Sequence, residues 1–181
     1  MNEASHPDSP EEVLHKGKFL QFVIKNGWEY VKRTNCSDIV IIIAKTDEGK
    51  LIFVEQFRQP VNKRVIEFPA GLINDGTSDQ NESLESGAIR ELIEETGYKA
   101  ERVKVLLQGP VSSGSSADLV TLVLAEGLTK TGAGGGDHTE NITVHEVDYD
   151  EAESWLNKKI SEGFLVEPKI YAGLYFLIKA V

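Results

Sequence analysis

The sequence predicts an α+β fold in which helices pack on the faces of a mixed β-sheet. The strand patterns outnumber the helix patterns, and the helix patterns occur singly between groups of strands. The length of 181 residues and the hydrophobic content of 40% suit one domain with its own core. No internal repeat divides the chain, so a single domain is expected over residues 15–181.

The N-terminal region is predicted to contain a tail followed by a hairpin. Residues 1–14 carry Pro, Ser and acidic residues without periodicity and are expected to be flexible. Strands are predicted at residues 18–24 and 28–33. The pair Asn26-Gly27 between them is typical of a two-residue hairpin turn.

Three further strands are predicted before the first helix. Residues 38–44 and 50–57 are expected to form a second hairpin-like pair across residues 46–49. The first of these is apolar throughout its centre, which indicates a strand covered on both faces. A short strand at residues 64–68 is expected to end at Pro69.

The first helix is predicted at residues 83–96, because apolar residues recur there at the spacing of one helix face. Those residues are Leu84, Ala88, Ile89 and Leu92. Gly97 follows as the expected C-terminal cap. Strands are then predicted at 103–107, 118–125 and 142–147, and helices at 150–160 and 168–180. The loop at 129–141 contains three consecutive glycines and is expected to be mobile.

Composition and charge limit the classes of partner. The net charge of −10 argues against a nucleic acid, because no basic surplus exists to replace its counterions. The single cysteine, Cys36, excludes an internal disulfide. The polar N-terminus is unlike a signal peptide, and no apolar run is long enough for a bilayer. A cytoplasmic protein that binds a small molecule, and neither nucleic acid nor membrane, is expected.

Three acidic residues, Glu91, Glu94 and Glu95, crowd the last two turns of the predicted helix. Like charges at this spacing repel by roughly 0.2–0.5 kcal/mol per pair, and the helix dipole disfavours anions at the C-terminal end. Grouped carboxylates suit Mg²⁺ or Mn²⁺, which prefer oxygen ligands. From these three residues alone, a solvated acidic face remains the alternative.

The wider pattern resembles a known family. From Glu82 the chain reads Glu, seven residues, Arg-Glu-Leu at 90–92, one residue, Glu-Glu at 94–95, one residue and Gly97. This pattern is similar to the signature of Nudix hydrolases, except that Tyr98 stands at its final aliphatic position. Upstream, residues 67–73 (EFPAGLI) resemble the ADP-ribose pyrophosphatase branch. On that alignment residues 77–81 are an insertion, and the resemblance covers about residues 17–180.

The resemblance implies a fold, a cofactor and an activity. The fold is an α/β/α sandwich around a mixed sheet, with the hairpin at about 17–34 used to form a homodimer. The cofactor is Mg²⁺, with Mn²⁺ possible. The expected reaction is hydrolysis of the diphosphate of a nucleoside diphosphate sugar, ADP-ribose first. GDP-mannose, other sugar nucleotides, dinucleotides and oxidised nucleoside triphosphates stay open as substrates, as does a non-catalytic nucleotide-sugar sensor.

The resemblance also assigns roles at the metal site. The expected metal ligands are Glu91, Glu95, nearby Glu94 and the carbonyl of Ala70. Arg90 is expected to pair with an acid of its own helix and orient it, and Glu82 to hold a metal through water. Glu140, on the late loop, is the expected base that activates water, with Glu94 as the next candidate.

Substrate recognition is carried over in the same way. Trp28 and Phe19 match positions that stack on the base, with core aromatics as the alternative. Arg33 and Arg58 match cations near the diphosphate or the terminal ribose, with surface salt bridges as the alternative. Trp155 and His145 are expected to be structural, and His138 to be a solvated loop residue.

Overall fold

The computed structural model describes residues 9–75, 81–136 and 140–179 and confirms an α+β fold with mixed sheets. The strands before the first helix are β1 (Glu12–Lys16), β2 (Leu20–Lys25), β3 (Trp28–Arg33), β4 (Asp38–Ala44), β5 (Lys50–Arg58), β6 (Lys63–Glu67) and β7 (Ala70–Ile73). The helix α1 (Leu84–Thr96) follows, and then β8 (Tyr98–Lys99), β9 (Arg102–Pro110), β10 (Leu119–Glu126), β11 (Thr129–Lys130) and β12 (Thr143–Asp148). The chain ends with α2 (Ala152–Ser161), β13 (Leu165–Val166) and α3 (Lys169–Lys179).

The N-terminal sheet is antiparallel, in the order β1-β2-β3. Its predicted hairpin is confirmed, since Asn26 and Gly27 both have positive φ, as a tight turn with this twist requires. The predicted tail is wrong at residues 12–14, where β1 begins and pairs with β2. The carboxylate of Glu11 ties this edge down by accepting a hydrogen bond of 2.8 Å from the Tyr30 hydroxyl. Residues 1–8 of the tail lie outside the described part.

Two four-stranded mixed sheets form the body of the protein, in the orders β7-β4-β10-β9 and β12-β5-β6-β13. The predicted hairpin of β4 with β5 is therefore wrong, because these consecutive strands enter different sheets and share only the isolated bridge between Lys45 and Leu51. Each is a central strand with a neighbour on both edges, so neither has a free edge for the other. The short β7, which pairs with β4, begins where the sequence predicted a strand end.

The core has two parts that share β4. Ile41 and Ile43 face a cluster that includes α2 and α3, whereas Val40 and Ile42 face a cluster that includes α1. Both faces of the strand are thus covered, as its apolar run predicts. The arrangement places helices on both sides of the sheets and confirms the sandwich.

The helix α1 ends at the predicted residue and begins one residue later than predicted, because Ser83 is its N-cap. The Ser83 hydroxyl caps its first turn by accepting a hydrogen bond from the Ser86 amide, at 3.1 Å. Gly97 ends it in the left-handed region, at φ 74°, and donates its amide to the Ile93 carbonyl. Among the residues that the structure describes, no helix is both long and apolar enough to cross a bilayer.

Candidate active site

A cleft of about 400 Å³ opens between β7 and the C-terminal half of α1. Of the predicted site residues, Ala70, Arg90, Glu91, Glu94, Glu140, Arg33 and Arg58 line it. Glu95 lies beneath it, with only 2% of its surface exposed. The sequence reasoning missed Asp75, which also lines the cleft and belongs to no recognisable pattern.

Arg90 is the central cation of the cleft. Its Nε and Nη2 donate to the two carboxylate oxygens of Glu82 at 2.9 and 3.0 Å. Its Nη1 donates to Glu91 Oε1 at 2.9 Å and to Glu94 Oε2 at 3.1 Å. The expected pairing with acids of the same helix is therefore present, and Glu82 is bound in addition. These bonds raise the pKa of Arg90, first through Glu82, so the cation is permanent.

Glu95 is a buried carboxylate that is held by the backbone. Its Oε2 accepts a hydrogen bond from the Ala70 amide at 3.0 Å, so the turn before β7 is tied to the helix. Burial raises the pKa of Glu95 well above its usual range, the Ala70 amide opposes this rise, and the charges of Glu140 and Glu91 add to it. The group therefore resists ionisation unless a cation joins it.

Glu91 packs directly on the backbone of β7. A Cβ on Gly71 would overlap the carboxyl carbon of Glu91, so glycine is required for this contact. Burial raises the pKa of Glu91 to about 7, Arg90 opposes the rise, and the charges of Glu94 and Glu140 increase it. Mutual repulsion of carboxylates is thus a property of this cleft, as the crowded acids of the sequence indicate.

These residues fit the predicted divalent cation by their donor chemistry. Every candidate ligand presents oxygen, and the repulsion among partly buried carboxylates is what a cation would relieve. Within the described ranges, no three acidic, histidine or cysteine side chains already stand at ligand spacing. Nη1 of Arg90 bonds one carboxylate oxygen of Glu91 and one of Glu94, so a metal would be met by the second oxygen of each.

The glycines of the late loop are docked on α1. The amides of Gly135 and Gly136 donate to the carbonyls of Glu95 and Glu94, at 2.9 and 3.0 Å. The sequence predicted a mobile loop here, but the last carbonyls of a helix need donors, and the glycine amides supply them. Glu140 follows on the same loop and reaches the cleft. His138 and residues 77–80 of the predicted insertion lie outside the described residues.

Besides Arg90, two further cleft arginines each face an acid whose pairing the sequence reasoning missed. Arg58 is 2.9 Å from Glu67, and burial raises the pKa of that carboxyl although Arg58 opposes the rise. The Nε of Arg33 is 3.7 Å from Asp118 Oδ2. Glu67 could have been found, because it is an acid at the end of an apolar strand, whereas Asp118 is distant in sequence and has no local pattern.

The predicted stacking aromatics do not meet within one chain. Trp28 is 61% exposed and Phe19 is 50% exposed. They lie at opposite ends of the paired strands β2 and β3, roughly 20 Å apart at about 3.3 Å per residue. The indole of Trp28 donates to the Gly114 carbonyl at 3.0 Å, which fixes its edge and leaves a face open.

The two residues predicted to be structural are found in packed positions. The ring of Trp155 stacks on Phe53 at 5.5 Å between centroids, against the core. His145 lies on β12, with Nε2 at 2.9 Å from a carboxylate oxygen of Glu55. Neither residue lines the cleft.

Comparison with known proteins identifies a family to which the chain is similar. A model described as NUDIX domain matches residues 37–165. A methanol dehydrogenase activator of Bacillus methanolicus is 37% identical over 121 residues, 66% of this chain and 63% of that protein. An ADP-ribose pyrophosphatase of Bacillus subtilis (strain 168) is 41% identical over 90 residues, 50% of this chain and 46% of that protein.

Two further comparisons extend along more of the chain. A GDP-mannose pyrophosphatase of Enterobacter sp. (strain 638) is 30% identical over 138 residues, 72% of this chain and 68% of that protein. A crystal structure of an ADP compounds hydrolase has a TM-score of 0.68 at 20% identity, covering 94% of this chain and 90% of that one. The chain spans about half to two thirds of the length of the first two relatives. The structural likeness concerns the fold.

Proposed function

Because the chain belongs to the Nudix family, we propose that it hydrolyses the diphosphate of a nucleoside diphosphate sugar, with ADP-ribose as the main substrate and Mg²⁺ as cofactor. The observation that carries the proposal is the cleft, where partly buried Glu91 lies near Glu140 and three arginines, with the buried Glu95 beneath. Acids suit a cation, and arginines suit a diphosphate. The similarity to an ADP-ribose pyrophosphatase supports this substrate.

The reaction requires a water molecule, a base and neutralised phosphoryl oxygens. The water oxygen forms a bond to one phosphorus atom, and the bridging P–O bond to the other phosphorus breaks. Glu140 accepts the proton of that water, and the products are a nucleoside monophosphate and a sugar phosphate. Arg58 and Arg33 face the charge on the phosphoryl oxygens, because both line the cleft.

The cation would be held by residues already on the cleft floor. Glu91 and Glu95 are the principal ligands, with Glu94 and the carbonyl of Ala70 beside them. Bound there, the cation supplies positive charge to the phosphoryl group and lowers the pKa of water. Arg90 holds Glu91 and Glu94 in fixed orientations, because one guanidinium nitrogen bonds both carboxylates. Mn²⁺ has the same ligand preference and is the expected substitute.

Base recognition is proposed to need a second copy of the chain. Trp28 and Phe19 each expose a ring face, but they lie at opposite ends of one ribbon. In a homodimer that pairs the N-terminal sheets, Trp28 of one chain can stand opposite Phe19 of the other. The pocket then offers a base two stacking faces, each worth about 1–3 kcal/mol.

A second candidate substrate is GDP-mannose. The GDP-mannose pyrophosphatase relative matches 72% of this chain, the largest share among the named relatives. The same cleft serves both substrates, because the acids and arginines act on the diphosphate that they share. The two substrates differ in the base and the sugar, and the proposed shared pocket would discriminate between them.

The direct test is a panel of nucleotide sugars with Mg²⁺, followed by separation of the nucleoside monophosphate and sugar phosphate released. ADP-ribose is expected to give the highest kcat/KM. Higher kcat/KM with GDP-mannose would transfer the assignment to that substrate. Tight binding without any product would contradict the enzyme and favour a nucleotide-sugar sensor.

The assignment of the base is tested by Glu140→Gln, which keeps the shape but cannot take a proton. We expect kcat to fall by roughly 10²–10⁴-fold, the usual contribution of a general base, while substrate affinity changes little. The matched control is Glu94→Gln on the adjoining helix. If Glu140→Gln keeps the wild-type rate and Glu94→Gln loses it, the base is Glu94.

A further inference from the structure

We propose that the glycine segment, residues 134–136, is a positioning element that fixes Glu140 relative to the acid-bearing end of α1. The inference rests on the proposed role of Glu140 in hydrolysis. The sequence suggests that three glycines provide freedom, whereas their contacts give them a fixed place. Gly134 allows the segment to pack closely on the helix, and Gly136 contacts the Glu140 side chain and so limits its position.

The first step is the hydrogen bonding between the segment and the helix end. The last carbonyls of a helix have no partner within the helix. Here Gly135 donates to the Glu95 carbonyl and Gly136 to the Glu94 carbonyl, at 2.9 and 3.0 Å. The segment is therefore bonded to the backbone of two of the residues proposed to hold the cation.

The second step is the lack of space at Gly134. A Cβ at this residue would overlap the carbonyl carbon of Thr96 and lie 2.6 Å from the Glu95 carbonyl oxygen. Its φ of 70° is also one that side chains other than glycine rarely adopt. These neighbours are backbone atoms of the helix end, which cannot rotate away. Only glycine lets the segment approach the helix this closely.

The third step is the contact between Gly136 and Glu140. A Cβ on Gly136 would lie 2.5 Å from Oε2 of Glu140 and 2.7 Å from its Cβ. On the other side of the segment, the Ile142 amide donates to the Gly135 carbonyl at 3.2 Å. The peptide unit between Gly135 and Gly136 is thus bonded on one side to the Glu94 carbonyl and on the other to the Ile142 amide. Gly136, at one end of this unit, is the residue that the Glu140 side chain contacts.

The physical need for such an element follows from the task proposed for Glu140. It lines the same cleft as Glu91 and Glu94, and a general base must be held within hydrogen-bond reach of the water that it activates. A carboxylate on a backbone without a fixed place would occupy that position only part of the time. Anchoring through Gly134 and Gly136 holds it near these acids at the cost of ordering a flexible segment. The geometry is then ready when a cation and substrate arrive.

The test is a double-mutant cycle between Gly136→Ala and Glu140→Gln. We expect Gly136→Ala to lower kcat by about 10-fold or more, because misplacing a reacting group by 1 Å can cost on the order of 10²-fold. KM for ADP-ribose should change by less than about 2-fold. In the Glu140→Gln background, the same alanine should lower kcat by less than about 2-fold, because no base remains to be positioned.

Two alanine controls separate positioning from simple strain. Gly132 lies in the same loop, without a positive φ, and its Cβ would meet open space. Gly163 has a φ of 93°, and a Cβ there would meet open space, so alanine at this position strains the backbone at a site outside the cleft. Gly132→Ala should match the wild type. Gly163→Ala should lower Tm and leave kcat unchanged.

The outcomes distinguish the inference from the function on which it rests. A loss of kcat by the same factor in both backgrounds would mean that Gly136 acts only on the overall structure, and the inference would be wrong. A wild-type kcat for Gly136→Ala would also overturn it. A wild-type kcat for Glu140→Gln alone, with Gly136→Ala still impaired, would instead overturn both the base assignment and the coupling. If Gly136→Ala does not fold, Gly136→Asn, which tolerates positive φ but carries a Cβ, gives the same comparison.

Discussion

The cleft and the N-terminal sheet differ in the kind of side chain that each exposes or buries. In the cleft, Glu95 is buried and Glu91 is partly buried, and each is held by a neighbour in the same chain, Glu95 by the Ala70 amide and Glu91 by Arg90. In the N-terminal sheet, apolar groups are exposed: Phe19, Leu20, Phe22 and Trp28 each show 38% or more of their surface. The cleft thus holds its acids with backbone and arginine donors of the same chain, whereas the sheet exposes its apolar side chains.

The difference indicates that the proposed chemistry and the proposed base recognition belong to different regions of the protein. The groups assigned to the cation lie on α1 and β7, which pack against each other, and Glu140 lies on a loop that is hydrogen-bonded to the end of α1. The groups assigned to base recognition lie on a three-stranded sheet that joins the body through few contacts, such as the bridge between Val31 and Ser116. Substitutions in the cleft should therefore change kcat, and substitutions in the sheet should change KM.

The largest expected effect comes from the buried acid. Glu95→Gln should lower turnover with Mg²⁺ by about 10³-fold or more, because a charged cation ligand is replaced by a neutral amide. The fold should persist, and the metal-free variant should melt at a higher temperature than the wild type, since folding no longer has to bury an acid whose ionised form is disfavoured there. Circular dichroism melting and steady-state kinetics check both. Near-wild-type turnover in the folded variant would contradict the metal site.

A smaller loss is expected from the floor of the cleft. Gly71→Ala adds a methyl group where Glu91 packs, so the carboxylate must move while its chemistry is retained. We expect kcat to fall by about 10²-fold, the usual cost of a displacement near 1 Å. Gly109→Ala, on an outer strand where a Cβ meets open space, is the control. Equal activity of the two variants would show that Glu91 need not be held there.

The sheet side of the comparison is tested by mixing two variants. Trp28→Ala and Phe19→Ala should each raise KM for ADP-ribose by about 5–150-fold, the range that corresponds to stacking energies of about 1–3 kcal/mol. If the pocket is shared, a dimer with one chain of each variant has one site in which both aromatic residues are intact. Part of the activity of the mixture should then show the wild-type KM. A monomeric mass by light scattering with full wild-type activity would rule out the shared pocket.

The smallest expected effect is the pH dependence of stability without metal. Glu91 has an ordinary pKa of 4.5 and a folded pKa of about 7, so the folded protein holds its proton more tightly than the unfolded chain. The free energy of unfolding should then fall as pH rises from 4.5 through about 7. Melting in EDTA at pH 5 and pH 8 measures the change, at about 2–4 °C per kcal/mol. Glu91→Gln should make the profile less steep and leave the part that comes from Glu95, and an equally steep profile would assign the whole dependence to other groups.

Local patterns were sufficient for the parts of the site that lie on one element. The glutamates of α1 share a face because residues three and four apart on a helix are neighbours, and Ser83 and Gly97 mark its ends by their capping chemistry. The contact of Arg90 with Glu91 and Glu94 follows from the same spacing. Glu67 is recognisable as an acid at the end of a strand, but its pairing with Arg58, like that of Asp118 with Arg33, could not be found in this way, because each arginine meets its acid through strand pairing or a distant loop.

The sequence alone determined most of the longer strands and the helix that carries the crowded acids, because periodicity and capping act over a few residues. Tertiary structure decided what depends on long-range pairing: that β4 and β5 enter different sheets, that β1 forms within the predicted tail, and that the glycine segment is docked. A helix end buried against a loop must find donors somewhere, and only the folded chain shows that glycine amides provide them.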